Sequence, residues 1–297
     1  MTRQESGSYL SVIFELSKVK ITVAVAFTTI TGYILATRGY DAGFFLPTLG
    51  IFFLACGSSV INHLQERRID AMMARTRKRP LPSHKISFSS ALAVAMTETL
   101  AGSLILYLSS GLTALILGLL AMIWYNLIYT NLKRITPHAV IPGSVIGSIP
   151  PLVGWVAAGG QLFSVPALIL AVFFFVWQVP HFYLLAIKYG HEYTEAGLPS
   201  ITERWSNSRA KKNIFLWIIL TSFTAFIVSF STLPVSFISA ALIMVSSVIL
   251  VISFRSLLFR TDETFRPFQY FMRINYYVLA VTAILITSPL FYTLFHI

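Results

Sequence analysis

The sequence predicts an all-α integral membrane protein, a bundle of nine transmembrane helices in one polytopic domain over residues 1–297. Three observations predict it. Hydrophobic residues make up 56% of the 297 positions and charged residues 11%, against about 25% charged in a soluble domain. The mean hydropathy is +0.75, so a water-facing surface cannot be covered. The apolar residues also fall into runs of bilayer length, about 20 residues each. Together these exclude an ordinary soluble enzyme, a disordered chain and a fibrous protein. The single cysteine, Cys56, excludes an intrachain disulfide framework and a cysteine-rich metal site.

The elements follow from stretches free of Asp, Glu, Lys and Arg. Residues 21–37 and 42–65 give the first two spans. Residues 86–132 form a long run broken only by Glu98, with Ser109-Ser110-Gly111 as a turn inside it. Residues 135–187 are too long for one span and divide at Gly159-Gly160 and Ser164-Val165-Pro166. Residues 213–254 divide at Thr232-Leu233-Pro234, and residues 274–297 give the last span. The expected helices are 19–38, 43–63, 88–108, 112–130, 139–158, 165–187, 213–231, 235–254 and 271–295. With that count, all but Arg38 of the 22 Lys and Arg residues fall on one face. The positive-inside rule makes that face cytoplasmic, with the N-terminus inside and the C-terminus outside. The first apolar run lacks a cleavage-like end, so no leader is expected. No nucleic-acid partner is expected; the partner of the basic face is the lipid bilayer and whatever anion enters from that side.

The chemistry lies in two long inner loops. In the first, Asn62, Glu66 and Asp70 recur every four residues where helix 2 leaves the membrane. Each step of four drifts about 40°, so all three share one helix face. Three oxygen ligands on one face suit a hard cation such as Mg²⁺, which completes its shell with water and phosphate. Arg75 and Arg79 follow at the same spacing, and guanidinium groups bind phosphate oxygens bidentately. The alternative, a solvated positive-inside loop, accounts for Arg67, Arg68, Arg77 and Lys78 but gives no reason for the amide of Asn62. The second loop carries Lys188, Glu192 and Glu195 before Gly197 and Pro199 end its helix. Read alone it is a solvated Lys–Glu face; read with the first cluster it is the other half of a two-metal clamp on one diphosphate. Lys133 and Arg134, between the two, either close over the phosphates or anchor a helix end.

Ionisable groups at membrane depth are functional by default. Glu98 lies within helix 3 and His181 within helix 6. His181 stands beside Trp177, Gln178 and Phe182, with Pro180 expected to kink the helix there. Each also reads as a helix-to-helix hydrogen bond.

Asn62-x3-Glu66-x3-Asp70, with Met72, Met73, Arg75-Thr76 and Arg79-Pro80 after it, resembles the first signature of the UbiA-type intramembrane prenyltransferases. Tyr129-Thr130-Asn131-Leu132-Lys133-Arg134 resembles the family's loop after helix 4. Gly147-Ser148-Ile149-Pro150-Pro151, Trp177-Gln178-Val179-Pro180-His181 and Glu192-Tyr193 to Pro199 are similar to the haem O synthase branch. Glu192 stands where the family usually has Asp, and Arg68 where it often has a carboxylate. The resemblance covers residues 55–200. It implies a nine-helix UbiA-type bundle with a central cavity open to the cytoplasmic side of a bacterial inner membrane. It implies farnesyl transfer from farnesyl diphosphate to the 2-vinyl group of haem B, with Mg²⁺ as cofactor. Asn62, Glu66, Asp70 and Glu192 would be catalytic and, with Glu195, would hold metal. Arg75, Arg79, Lys133, Arg134 and Lys188 would bind diphosphate, and His181, Trp177 and Gln178 would bind haem. It further implies association with a haem A synthase or terminal oxidase assembly. The competing readings are a UbiA-type transferase for an aromatic acceptor such as 4-hydroxybenzoate, a transporter of organic anions, and a haem-binding scaffold.

Overall fold

The computed structural model describes residues 9–231, 236–259 and 265–295. Among them every regular element is helical. In chain order they are α1 (Tyr9–Leu16), α2 (Val19–Thr37), α3 (Phe45–Met72), α4 (Phe88–Ile123), α5 (Thr130–Leu132), α6 (Val140–Gly143), α7 (Val145–Ala157), α8 (Val165–Lys188), α9 (Gly190–Glu195), α10 (Ile201–Arg204), α11 (Asn207–Ser231), α12 (Phe237–Arg255) and α13 (Pro267–Phe295). Inside a bilayer the helix is the form in which one segment satisfies all its own backbone groups, which is why hydropathy alone located most of these bounds.

Eight stretches of the described residues are long and apolar enough to cross a membrane. One of them, Phe88–Leu132, is 45 residues long, about twice what a bilayer core needs. It folds back on itself at Gly111, whose φ of 77° and ψ of −174° are open to glycine but not to a residue with a Cβ. Thr99 Oγ1 lies 3.9 Å from Met122 Sδ as its donor; in an unbroken helix these residues would be about 35 Å apart. The division expected at Ser109-Ser110-Gly111 is therefore present, as a reversal at Gly111 between two helical segments. The division expected at residues 232–234 lies outside the described residues.

Three local departures matter for the site. The expected helix 139–158 is two pieces, α6 and α7, parted at Ser144. Residues Trp124–Tyr129 adopt π-helical geometry at the end of the hairpin, a widening that re-aims side chains and recurs at functional sites. The sequence pattern also overlooked α1, which buries Val12 and Leu16 and leaves Tyr9, Leu10 and Phe14 exposed, as an interfacial amphipathic helix does.

The bundle is not uniformly packed. Only 22% of the apolar window in Phe88–Leu132 is buried, against 56% in Pro137–Ala157. The α4 hairpin is thus peripheral and α7 central. The largest core joins α8, α11, α12 and α13 through Phe173, Phe174, Ile214, Ile218, Phe254 and Ile274. The polar residues of interest sit on the other side of α8, toward α2, α3 and the hairpin.

Candidate functional site

The face expected for α3 forms. Asn62, Glu66 and Asp70 are 2%, 7% and 1% exposed and line one cavity of about 260 Å³. A buried carboxylate is tolerated only with a partner, and here each oxygen group has a basic one. Lys18 Nζ donates to Asn62 Oδ1 at 3.2 Å. Lys133 Nζ lies 2.5 Å from Glu66 Oε1. Arg79 Nη1 donates to both oxygens of Asp70, at 2.9 and 2.8 Å. Arg75, Tyr125, Tyr129 and Tyr193 complete the polar wall. Burial, then repulsion from Arg79 and Lys133, pushes the Lys18 ammonium down to about 7. Burial likewise raises the Tyr193 phenol. A pocket with this much positive charge and few free anions is built to receive an anion.

The π-helical turn fixes the amide that the salt-bridge reading could not explain. Thr130 Oγ1 spends its proton on the Tyr125 carbonyl at 2.8 Å. It therefore faces Asn62 as an acceptor, and Asn62 Nδ2 donates to it at 3.1 Å. The amide oxygen of Asn62 is thereby turned to Lys18 and the cavity. Asn126 donates to Ser58 Oγ at 2.6 Å, and Gln65 Nε2 to the Asn126 carbonyl at 3.1 Å, so the turn is stapled to α3 on both sides.

Lys18 itself sits at a strained corner between α1 and α2, with φ 46° and ψ 47°, a region a non-glycine residue seldom adopts. Ser59 Oγ donates to the Leu16 carbonyl at 2.9 Å, and Ser17 Oγ donates to Glu98 Oε1 at 2.6 Å. The membrane-depth carboxylate thus holds the corner that carries Lys18.

The second acidic stretch is placed differently. Glu192 Oε2 accepts from the Arg75 backbone N–H at 3.4 Å, which ties the two inner loops together. Arg75 lies over the Tyr189 ring at 4.4 Å. Glu195 is exposed and pairs with the exposed His191 at 3.3 Å. Lys188 is exposed and lies 3.6 Å over the Phe268 ring. Arg134 Nη2 donates to the Gln65 carbonyl at 3.1 Å. None of Glu192, Glu195, Lys188 and Arg134 lines the cavity.

A second, apolar chamber of about 270 Å³ adjoins the first and shares Lys18, Tyr125, Phe182 and Leu185 with it. Ile51, Leu54, Met122 and Pro150 supply apolar wall, and Gln178 and His181 stand among its polar points with Thr22, Ser58 and Ser59. Gln178 fits only because Gly147 has no side chain; a Cβ there would lie 1.6 Å from Gln178 Oε1. Two of the three stretches similar to the haem O synthase branch therefore touch, at Gly147 and Gln178. Trp177 backs His181, with ring centroids 5.2 Å apart, and donates its indole N–H to the Ile274 carbonyl at 3.3 Å; it does not line the chamber.

The donor set suits a magnesium ion. Among the described residues no three His, Cys, Asp or Glu side chains gather as a ready-made cluster. Two carboxylates and an inward-facing amide oxygen are the sparse, all-oxygen set that Mg²⁺ takes when phosphate and water finish the shell. The sequence reading missed Lys18, Tyr125, Tyr193 and the Asn275 partner of His181. Lys18 looked like one more positive-inside anchor; a polar Asn inside an apolar span was the one signal available for Asn275.

Comparison with known proteins gives a consistent picture. The model of the UbiA prenyltransferase family matches residues 25–277. Protoheme IX farnesyltransferase 1 of Pseudomonas fluorescens is 41% identical over 207 residues, 68% of this chain and 68% of that protein. Protoheme IX farnesyltransferase of Cytophaga hutchinsonii is 35% identical over 71% of this chain and 74% of its own length. For that of Oleidesulfovibrio alaskensis, 36% identical, the aligned share is 62% of this chain and 65% of the relative. Among solved structures, digeranylgeranylglyceryl phosphate synthase superposes with a TM-score of 0.75 at 18% identity, covering 96% of this chain and 99% of that one. A UbiA homolog from Archaeoglobus fulgidus bound to GPP and Mg²⁺ superposes at 0.70 and 15% identity, over 94% and 98%. At those identities the likeness is one of fold.

Proposed function

This chain belongs to the UbiA prenyltransferase family, and from that premise we propose that it transfers the farnesyl group of farnesyl diphosphate to the 2-vinyl group of haem B, making haem O. The observation that carries the reading is the pairing of chambers. A polar cavity in which Lys18, Lys133 and Arg79 face Asn62, Glu66 and Asp70 opens onto an apolar one through shared walls. The first fits a diphosphate and the second fits its hydrocarbon tail, which gains by leaving water.

In this reading Asn62, Glu66 and Asp70 hold Mg²⁺, and Glu192, beside Arg75, serves a second ion. Bound Mg²⁺ supplies charge neutralisation at the leaving diphosphate. Lys133 and Arg79 turn from Glu66 and Asp70, and Lys18 and Arg75 from the Asn62 amide and the Tyr189 ring, to phosphate oxygens and stabilise the charge that develops there. The allylic C–O bond breaks, its electron pair leaving with diphosphate. The vinyl carbon of haem B attacks the allylic cation, water adds to the porphyrin-side cation, and one proton is released, leaving a hydroxyethylfarnesyl group. The dry apolar chamber keeps water from the allylic cation first. Tyr125 and Phe182 stand at the junction where that cation forms. Glu195, Lys188 and Arg134 stand outside the cavity, and the reading does not depend on them. The same reading puts the cavity mouth on the cytoplasmic side of a bacterial inner membrane, with nine crossings and the N-terminus inside, because the basic loops gather there.

The test is turnover by purified full-length protein with haem B, farnesyl diphosphate and Mg²⁺, followed by mass spectrometry of the porphyrin. The expected product carries a hydroxyethylfarnesyl group. Prenylation of 4-hydroxybenzoate with none of haem B would overturn the acceptor.

A further inference from the structure

His181 Nδ1 lies 3.0 Å from Asn275 Oδ1. Which atom carries the proton can be worked out from Asn275. Its Nδ2 donates to the Phe271 carbonyl, one turn back on α13, at 2.6 Å. A carbonyl only accepts, so the NH₂ group must face Phe271 and the amide oxygen must face His181. An amide oxygen also only accepts, so His181 Nδ1 must be the protonated nitrogen. The other nitrogen, Nε2, is left with its lone pair, on a ring that lines the apolar chamber. Phe271, Trp177 and Phe182 surround that ring, at centroid distances of 4.6, 5.2 and 5.5 Å, and fix its plane. The same device orients Asn62 in the polar cavity, where Thr130 holds the NH₂ group.

We infer that Asn275 is a positioning residue that locks His181 in its Nδ1–H form, so that Nε2 binds the iron of the incoming macrocycle. The inference rests on haem B being the acceptor. A histidine that ligates metal commonly gives its other N–H to a carbonyl or carboxylate, which sets tautomer, ring orientation and basicity. Here that partner comes from α13, 94 residues away in the chain. It lies outside every motif through which the site was recognised. Iron held at His181 would fix the macrocycle's centre and the tilt of its plane, and so the distance of its rim from the junction where the allylic cation forms.

The test has two arms, both on the full-length protein in lipid nanodiscs. In the first, the substrate-free protein is labelled with ¹⁵N-histidine and His181 is assigned by its loss in His181→Gln. Wild type should show a protonated Nδ1 and an unprotonated Nε2. Asn275→Leu, which removes the acceptor, should shift His181 toward the Nε2–H form. A wild-type Nε2–H signal overturns the inference whatever the acceptor is. In the second arm ferrous haem B is added and the Fe–His stretch is read by resonance Raman. Asn275→Asp, a stronger acceptor of similar shape, should raise that frequency; Asn275→Leu should lower it and weaken haem affinity about 10- to 100-fold. An Fe–His band unmoved by both substitutions overturns the positioning role. Absence of haem binding in wild type, with the Nδ1–H signal intact, instead overturns the acceptor and with it iron as the ligand of Nε2.

Discussion

Asp70, in the last turn of α3, and Glu195, in α9 just after α8, both belong to acidic stretches of similar appearance among the basic residues at a helix end. Their surroundings differ in kind. The Asp70 side chain is 1% exposed and is held at both oxygens by Arg79. The Glu195 side chain is 64% exposed and leans on a histidine that is itself 87% exposed. A carboxylate at the surface is served by water, and its ion pair is worth little. A buried one requires a cation, and breaking such a pair costs about 3–5 kcal/mol. The lesson is that a buried acidic face recruits its own cations. Under the proposed function those cations would serve an incoming diphosphate and leave the same oxygens to hold Mg²⁺.

The comparison can be broken at several points. Asp70→Ala should have the largest effect, lowering haem O formation by about 10³-fold or more, measured by product mass after confirming membrane insertion; near-normal turnover would remove the buried face from the chemistry. Lys133→Met and Lys18→Met should each cost on the order of 10²-fold in kcat/KM for farnesyl diphosphate. A loss of similar size on both would show that the buried cations act on phosphate rather than merely balancing Glu66 and Asn62. Glu98→Ala frees the corner that carries Lys18 and should cost about tenfold, while Glu98→Gln, which can still accept from Ser17, should recover most of it. Glu192→Gln should cost about as much as Glu98→Ala, since the amide keeps an oxygen for the second ion and for the Arg75 N–H and loses only the charge. Glu195→Gln should stay within about twofold of wild type; a loss equal to that of Asp70→Ala would erase the distinction between the two stretches.

Much of the site was legible as a pattern. The spacing of Asn62, Glu66 and Asp70 placed them on one face, and the structure keeps them there. The residues of the second stretch were equally legible as acidic, but the sequence does not say which way an exposed turn presents them. Trp177 and His181 were singled out together, yet one backs the other instead of sharing its surface. The π-helical turn at Trp124–Tyr129 had no signature, because one hydrogen-bond shift leaves hydropathy unchanged.

The sequence alone determined the class of the protein, the position of most helices and the composition of its polar ends. Those properties are local: a bilayer admits only segments that satisfy their own backbone, so an apolar run of sufficient length is a helix wherever it occurs. The tertiary structure alone decided which partners meet. Lys18 reaches Asn62, Lys133 reaches Glu66, and Asn275 reaches His181 across separations of 44, 67 and 94 residues. Such pairings depend on how helix surfaces pack against one another, and that is a property of the assembled bundle rather than of any one segment.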